Sequence, residues 1–214
     1  MKTLTAAQMR EVDRRCIESI GIPGAVLMNS AGNAVFQQLS SGPAGIVIGK
    51  GNNGGDGWVV ARLALLAGME PHVALIAKPE DIKGDAATFK RVYENLGGTY
   101  TSATDARSVA EAVAALSTCA VVVDALLGTG ISGEVHGAAR AAIEAWPPVR
   151  TVAVDLPSGL NADTGEACGV CVKADVTVTF AFAKKGFENP AAKHYVGKLV
   201  VADIGIPAVC AEGF

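Results

Sequence analysis

Between Gly49 and Gly57 the chain reads Gly-Lys-Gly-Asn-Asn-Gly-Gly-Asp-Gly. A short apolar run, Gly45-Ile46-Val47-Ile48, precedes it, and a helix-like run from Trp58 to Leu66 follows. The order is therefore strand, glycine turn, helix. In that context Gly49, Gly51 and Gly54 satisfy the G-x-G-x-x-G spacing, which carries little weight without a strand before it and a helix after it. Glycine permits positive φ and close approach of backbone to a ligand. The free N–H groups of a helix start, with the helix dipole behind them, favour a phosphate. The same glycines would also serve a βα turn that needs small residues and binds nothing. Asn52, Asn53 and Asp56 are more polar chemistry than such a turn requires.

The rest of the chain supports a sheet around this turn. From Ala6 to Gln38 apolar residues recur at helical spacing, with Met9, Val12, Cys16 and Ile17 on one side and Thr5 as a cap. Gly21-Ile22-Pro23-Gly24 breaks the pattern, and a second helix is expected from Ala25 to about Leu39. Ser40 to Ala44 reads as a loop, so helices come first and the sheet begins at Gly45. After the glycine turn, strands are expected at His72–Ala77, Ala120–Leu127, Thr151–Asp155, Ala174–Phe182 and Lys198–Ile204. Helices are expected at Gly84–Leu96, ended by Gly97-Gly98, at Ala106–Leu116, and at Ala138–Trp146, stopped by Pro147-Pro148. Continuous apolar strands alternating with helices indicate a parallel sheet buried on both faces.

The chain has 214 residues, half of them hydrophobic and 18% charged, which suits one folded domain with a sizeable core. A net charge of −3 with no basic block argues against a nucleic-acid surface. No apolar run reaches the roughly 18 residues of a membrane span. The N-terminus lacks the apolar stretch of a secretory signal. Five cysteines, an odd number, fit reduced thiols in a cytoplasm better than a disulfide framework.

In parallel sheets ligands bind beyond the carboxyl ends of the strands, near the switch point. Two further strands end in an aspartate and a glycine-containing loop, Asp124 to Gly130 and Asp155 to Gly159. With the glycine turn these loops would form one site. Asp124 and Asp155 also have an ordinary reading as caps or loop anchors. Together with Asn53 and Ser158 they supply hard oxygen ligands suited to a hard cation or to ring hydroxyls.

Other chemistries fit less well. A nicotinamide dehydrogenase would want an acidic residue at the end of the second strand, but Ala77-Lys78-Pro79 stands there and Glu80 and Asp81 follow only after the proline. Cys168 and Cys171 form a C-x-x-C with no second pair or histidine cluster, which reads as a reduced hairpin turn. No G-x-S-x-G elbow or Cys–His pairing stands out. His136 and His194 lie in loops, and His136 reads better as solvated than as a site residue. Lys184 and Lys185, before Gly186, read on their own as a solvated turn.

With these residues in view, the chain resembles the NAD(P)H-hydrate epimerase family, also called the YjeF N-terminal domain. The resemblance runs almost end to end. It covers Leu4-Thr5, Met9 and Asp13, Gly21-Ile22-Pro23, Leu27-Met28 with Ala31-Gly32, and Gly49 to Gly57. It continues through Asp124–Gly130, Val154–Leu160 with Asp163-Thr164-Gly165, and Ala174-Asp175 with Thr177 and Thr179-Phe180. It closes with Lys184-Lys185-Gly186 and Asp203–Pro207. The resemblance implies one domain over residues 1–214, α/β in class: a Rossmann-like three-layer sandwich with a mostly parallel central sheet and N-terminal helices.

That family repairs nicotinamide cofactors hydrated at C6 of the ring (NAD(P)HX), interconverting the R and S hydrates so that a dehydratase can act on one of them. By resemblance, Asn52, Asn53, Gly54, Gly55 and Asp56 contact the substrate, with its diphosphate near the glycine turn. Gly128, Thr129, Gly130, Ile131, Ser132, Gly133, Glu134 and Asp155 supply further contacts. Asn53, Asp124 and Ser158 match positions that hold a potassium ion, K+. Asp155 is expected as the acid/base, because a carboxyl at a desolvated strand end resists ionisation. Lys184 would be a second polar contact or proton shuttle. A homodimer through the N-terminal helices, a cytoplasmic location and coupling to an ADP- or ATP-dependent NAD(P)H-hydrate dehydratase are implied too, with no nucleic-acid or membrane partner.

Two departures stand out. The family pattern Leu-Met-Glu-x-Ala-Gly reads Leu27-Met28-Asn29-Ser30-Ala31-Gly32 here, with Asn29 in the glutamate's place. Many bacterial members carry a dehydratase domain after this one, whereas this chain stops at Phe214, which fits a stand-alone epimerase or an excised domain. The competing class is a non-catalytic nucleotide- or protein-binding module, since relatives of the fold serve as interaction domains in an apolipoprotein-binding protein and an mRNA-decapping scaffold. The presence of Asn53, Asp56, Asp124, Asp155, Ser158 and Lys184 favours an enzyme.

Overall fold

The structure, a computed structural model, describes residues 2–131 and 133–214. The chain opens with a two-residue strand, Thr3–Leu4 (β1), and a helix, Ala6–Arg14 (α1), which continues as a π-helical segment, Arg15–Ile20. Gly24–Phe36 (α2) follows. Strands and helices then alternate for most of the chain: Ala44–Ile48 (β2), Asn52–Leu66 (α3), Pro71–Leu75 (β3), Gly84–Asn95 (α4), Tyr100–Ser102 (β4), Ala106–Ala114 (α5), Val121–Ala125 (β5), Gly137–Glu144 (α6), Thr151–Val154 (β6), Val176–Phe180 (β7) and, after Ala183–Lys184 (β8), Lys193–Val196 (α7). Lys198–Ala202 (β9) ends the sheet.

The main sheet has seven strands in the order β4-β3-β2-β5-β6-β7-β9, and every pairing is parallel. The strands are valine- and isoleucine-rich, which suits a pleated surface buried on both sides. In β2, Ile46 and Ile48 join a core with Trp58 of α3 and Leu27 and Val35 of α2. Val47 between them joins a second core with Val109 and Val113 of α5 and Ala142 of α6. The period-2 alternation of one strand thus divides the molecule into three layers: helices α2 to α4, sheet, helices α5 and α6.

Several expected boundaries shift. The helix expected to run to Leu116 ends at Ala114 and tightens into a 3₁₀ turn, Ala115–Thr118. The strand expected from Ala174 to Phe182 is paired only over Val176–Phe180, and the one expected from Ala120 to Leu127 only over Val121–Ala125. The sheet has a further edge strand, β4, that sequence reading left out; its three residues, Tyr-Thr-Ser, show no periodicity. Nor is Gly45 where extended pairing begins: β1 pairs in parallel with β8 in a separate two-stranded ribbon. Two-residue strands are too short to leave an alternation in sequence.

That ribbon fixes the start of α1, whose cap is the expected Thr5. Its hydroxyl accepts from the Gln8 N–H at 3.2 Å while Gln8 Oε1 accepts from the Thr5 N–H at 2.9 Å, a reciprocal capping box. The Ala6 N–H donates to Asp163 Oδ1 at 2.6 Å, tying α1 to the loop after β6. Strand order reverses between β2 and β5, because β3 and β4 lie on one side of β2 and β5 to β9 on the other. The crevice at the carboxyl ends of β2 and β5 is therefore the switch point.

Candidate active site

The glycine turn sits at that switch point. A Cβ on Gly49 would lie 1.9 Å from the Leu126 carbonyl oxygen, and one on Gly54 would lie 1.9 Å from the Gly49 carbonyl oxygen. These two glycines let the turn press against the exit of β5 and fold back on itself. None of the glycines between 49 and 57 has positive φ, so close approach within the protein is what Gly49, Gly54, Gly55 and Gly57 provide, while a Cβ on Gly51 would meet open space. The Gly55 N–H is bonded to the Gly51 carbonyl at 3.0 Å, which leaves the N–H groups of Asn52, Asn53 and Gly54 as the free donors of the α3 N-terminus.

Asp155 follows β6 and has φ of +65°, the left-handed region that non-glycine residues rarely occupy. Such strain persists only where surrounding contacts over-determine it, and it clusters at functional sites. Its backbone N–H donates to the Val178 carbonyl of β7 at 2.8 Å. Its side chain is held as firmly: Oδ1 lies 2.6 Å from Lys184 Nζ and accepts from Thr179 Oγ1 at 3.0 Å. Lys184 Nζ also donates to Thr179 Oγ1 at 2.9 Å, which closes a triangle. Lys184 is only 1% exposed. The ordinary reading of Lys184 as a solvated turn residue is therefore wrong, and only Lys185 is exposed. Sequence could not show this, because the β1–β8 ribbon is what carries Lys184 inward.

A cavity of about 180 Å³ opens beside this triangle, lined by Asn52, Asp56, Thr129, Asp155 and Lys184 of the expected residues. Asp13 of α1 also lines it, with an apolar wall that includes Met9, Leu27, Met28 and Phe180. Asp56 is 8% exposed and has no hydrogen-bond partner among the described residues. Burial first, then the charges of Asp155 and Asp13, push its carboxyl well above the ordinary range. Burial and the Asp155 charge push Asp13 up to about 6, against the opposing pull of Lys184. Sequence reading gave Asp13 no role in the site. Its signal was there: an acidic residue four positions from Met9 and from Ile17, inside an apolar helix stripe.

Asp124 is the next-to-last residue of β5 and has no exposed surface. Oδ2 accepts from the Ser158 N–H at 2.7 Å, and Oδ1 accepts from Ser158 Oγ at 2.5 Å and from the Leu126 N–H at 3.3 Å. Burial nevertheless raises it to about 6, since its opposing contacts are all hydrogen bonds and none is a cation. Ser158 Oγ accepts from the Leu127 N–H at 2.9 Å, and Asn53 Nδ2 donates to the Leu127 carbonyl at 2.9 Å. The three residues expected to hold an ion thus meet around one peptide segment. Asn53 Oδ1 is left without a donor among the described residues. A buried carboxylate lacking a cation, with neutral oxygens beside it, fits a monovalent hard cation in charge and donor type.

The loop after β5 divides. Gly128 lies against Asn53, and Thr129 reaches the cavity. Gly130 is exposed, while Ile131 packs toward the α5–α6 core. Gly133 and Glu134 line a separate cavity of about 450 Å³ with Asn161, Thr164 and Cys168, and Glu134 pairs with Arg140 at 2.7 Å. Ser132 lies outside the described residues. His136 and His194 are exposed, and Cys168 and Cys171 are free thiols. Among the described residues no group of three or more His, Cys, Asp or Glu side chains is placed to hold a metal.

Comparison with known proteins decides the family. A family model described as "YjeF-related protein N-terminus" matches residues 24–186. The chain belongs to that family. It is 42% identical over 210 residues to a protein of Pirellula staleyi named NAD(P)H-hydrate epimerase, covering 95% of this chain and 92% of that one. A Limosilactobacillus reuteri protein of the same name is 40% identical, covering 97% and 98%. A Moorella thermoacetica protein named bifunctional NAD(P)H-hydrate repair enzyme Nnr is 43% identical; 97% of this chain matches 41% of its length. The crystal structure of the yeast protein YNL200c superposes with a TM-score of 0.76 at 20% identity, covering 95% of this chain and 88% of that one, which confirms the fold.

One departure from the YjeF-related pattern has a visible setting. Asn29 is exposed on α2, and its Oδ1 accepts from Arg62 Nη2 of α3 at 2.8 Å. Arg62 Nε is buried with no partner among the described residues. A single amide oxygen satisfies one arm of the guanidinium, where a carboxylate could take two.

Proposed function

We propose that this protein is an NAD(P)H-hydrate epimerase, an isomerase of cofactor repair acting on the R and S hydrates of NADH and NADPH. The observation that carries the reading is the strained Asp155, ion-paired to a buried Lys184 in a cavity at the sheet's switch point. Relatives of about 40% identity over nearly the whole chain bear the epimerase name. A module that only bound protein would gain nothing from that strain and burial.

The cavity is smaller than the roughly 300 Å³ of an ordinary ligand pocket, so it takes the nicotinamide end and leaves the rest of the dinucleotide along the rim. The diphosphate lies toward the free N–H groups of Asn52, Asn53 and Gly54, where the α3 dipole favours negative charge. The apolar wall of Met9, Leu27, Met28 and Phe180 holds the ring and limits water. The ring nitrogen's lone pair expels the C6 hydroxyl as a protein acid protonates it, leaving a planar iminium and one water. Water then adds to either face while a base takes its proton. Asp155 is the base, oriented by Lys184 and Thr179. A potassium ion held by Asn53, Asp124 and Ser158 would supply a fixed positive charge beside the glycine turn.

We also infer a cytoplasmic homodimer, with the exposed Ile20 and Val26 of the N-terminal helices in its interface, working with a separate or fused dehydratase; the bifunctional relatives favour that coupling. Among the described residues no helix is long and apolar enough to cross a membrane. The test is a coupled assay. The R hydrate is supplied with an S-specific dehydratase, and the return of reduced-cofactor absorbance is followed on adding this protein, in potassium or in sodium alone. Protein-dependent acceleration is expected in potassium and less in sodium. No acceleration by protein that still binds a nicotinamide dinucleotide would refute the epimerase, and equal rates in both salts would refute the ion.

A further inference from the structure

This inference rests on the epimerase reading and adds a residue to it. Departure of the C6 hydroxyl and return of water on the opposite ring face require a proton given on one side and taken on the other. A single carboxyl cannot serve both faces of a ring held still. The cavity is lined by four carboxyl groups, Asp13 from α1, Asp56 from α3, Asp85 from α4 and Asp155 after β6, and by two cations, Arg10 from α1 and Lys184 from β8. Arg10 is exposed and Asp85 is half-buried. Lys184 is already engaged by Asp155 at 2.6 Å. Neither Asp13 nor Asp56 has a hydrogen bond or ion pair among the described residues, and Asp56 is 8% exposed.

Lys184 is the buried cation of this lining and is engaged by Asp155, whereas Arg10 is exposed, so neither Asp13 nor Asp56 has a buried cation paired to it among the described residues. Burial pushes Asp56 well above the ordinary range, which suits a hydrogen-bond donor. Asp13, pushed up to about 6, exchanges its proton near neutrality, which is what an acid–base group needs. We propose that Asp13 is the second acid–base group of the reaction, serving the C6 oxygen on the ring face that Asp155 does not reach. In one direction Asp13 protonates the departing hydroxyl, the C6–O bond breaks toward oxygen, and the nitrogen lone pair adds the π bond that makes C6=N of the iminium. Water then attacks the other face, the electrons return to nitrogen, and Asp155 takes the water's proton. The reverse direction exchanges the two roles; for a second passage in the same direction Asp155 releases its proton to water and Asp13 takes one from water, so no co-reactant beyond solvent is needed.

The experiment measures interconversion of purified R and S hydrates, without a dehydratase, for the wild type, Asp13→Asn and Asp13→Glu across the pH range. Asp13→Asn is expected to lower kcat by about 100-fold or more with KM within about threefold, and to remove the wild-type limb near pH 6. Asp13→Glu should restore part of the rate, and the melting temperature of Asp13→Asn should not fall. An Asp13→Asn variant with kcat within about threefold of wild type and an unchanged pH profile overturns the proposal while the epimerase reading stands. A lowered melting temperature, with Asp13→Glu failing to restore the rate, makes the residue structural and overturns it too. A wild-type protein that interconverts nothing removes the epimerase reading and this inference with it.

Discussion

The Asp155–Lys184 pair gives a prediction whose size the structure sets. Lys184 is 1% exposed, and its ammonium is satisfied by the Asp155 carboxylate at 2.6 Å and the Thr179 hydroxyl at 2.9 Å. Lys184→Met keeps the length and apolar stem of the side chain and removes only the charge. Removing one member of a buried pair costs about 3–5 kcal/mol when the other charge has no escape. Asp155 has some escape, since its side chain is 16% exposed and it lines a cavity, so about 2–3 kcal/mol is the fitting figure. For a domain of this size that lowers Tm by roughly 5–10 °C. Urea unfolding of the wild type, Lys184→Met, Asp155→Asn and the double variant measures the coupling directly. The double variant, with neither charge stranded, should be more stable than Lys184→Met and within about 1 kcal/mol of wild type. If Lys184→Met unfolds within about 0.5 kcal/mol of wild type, or if the two single losses simply add, the pair is not the buried interaction described above.

In the native state Asp13 keeps a proton up to about pH 6 that the unfolded chain releases near the ordinary aspartate value, so stability falls as pH rises through that window. Asp13→Asn should therefore be more stable than wild type by about 1–3 kcal/mol at pH 8 and gain much less at pH 4, which urea midpoints at the two pH values check. At φ of +65°, Asp155→Gly should be about 1 kcal/mol more stable than Asp155→Ala, the reverse of the usual order, by the same unfolding assay. Asn29→Glu should engage both the exposed arm and the buried Nε of Arg62 and raise Tm by about 1–4 °C, a gain that Arg62→Ala should abolish.

Wherever a feature repeats along the chain, the sequence by itself determined it. The valine-rich runs fixed a sheet buried on both faces, and the glycine-rich stretch after Ile48 marked a handover from strand to helix, although the helix begins at Asn52, inside that stretch, and not at the expected Trp58. The aspartates closing two strands, Asp124 and Asp155, marked the sheet edge that carries the site. These signals are local, because strand alternation, helix stripes and turn chemistry are set by residues a few positions apart.

Other features came only from the tertiary structure, because they depend on residues far apart in sequence. Lys184 follows a strand and precedes a glycine, and nothing near it says that it is buried; its ribbon with Thr3–Leu4, more than 170 positions away, turns it inward. Asp13 looks like one more charge on an amphipathic helix until α1 is docked by the Asp163 contact and its stripe faces Asp56 and Asp155. The left-handed backbone of Asp155 is likewise imposed by β7, through the Val178 carbonyl and Thr179, and not by its own neighbours. Burial and the electric field of assembled neighbours decide the state of an ionisable group, and both exist only once the chain has folded.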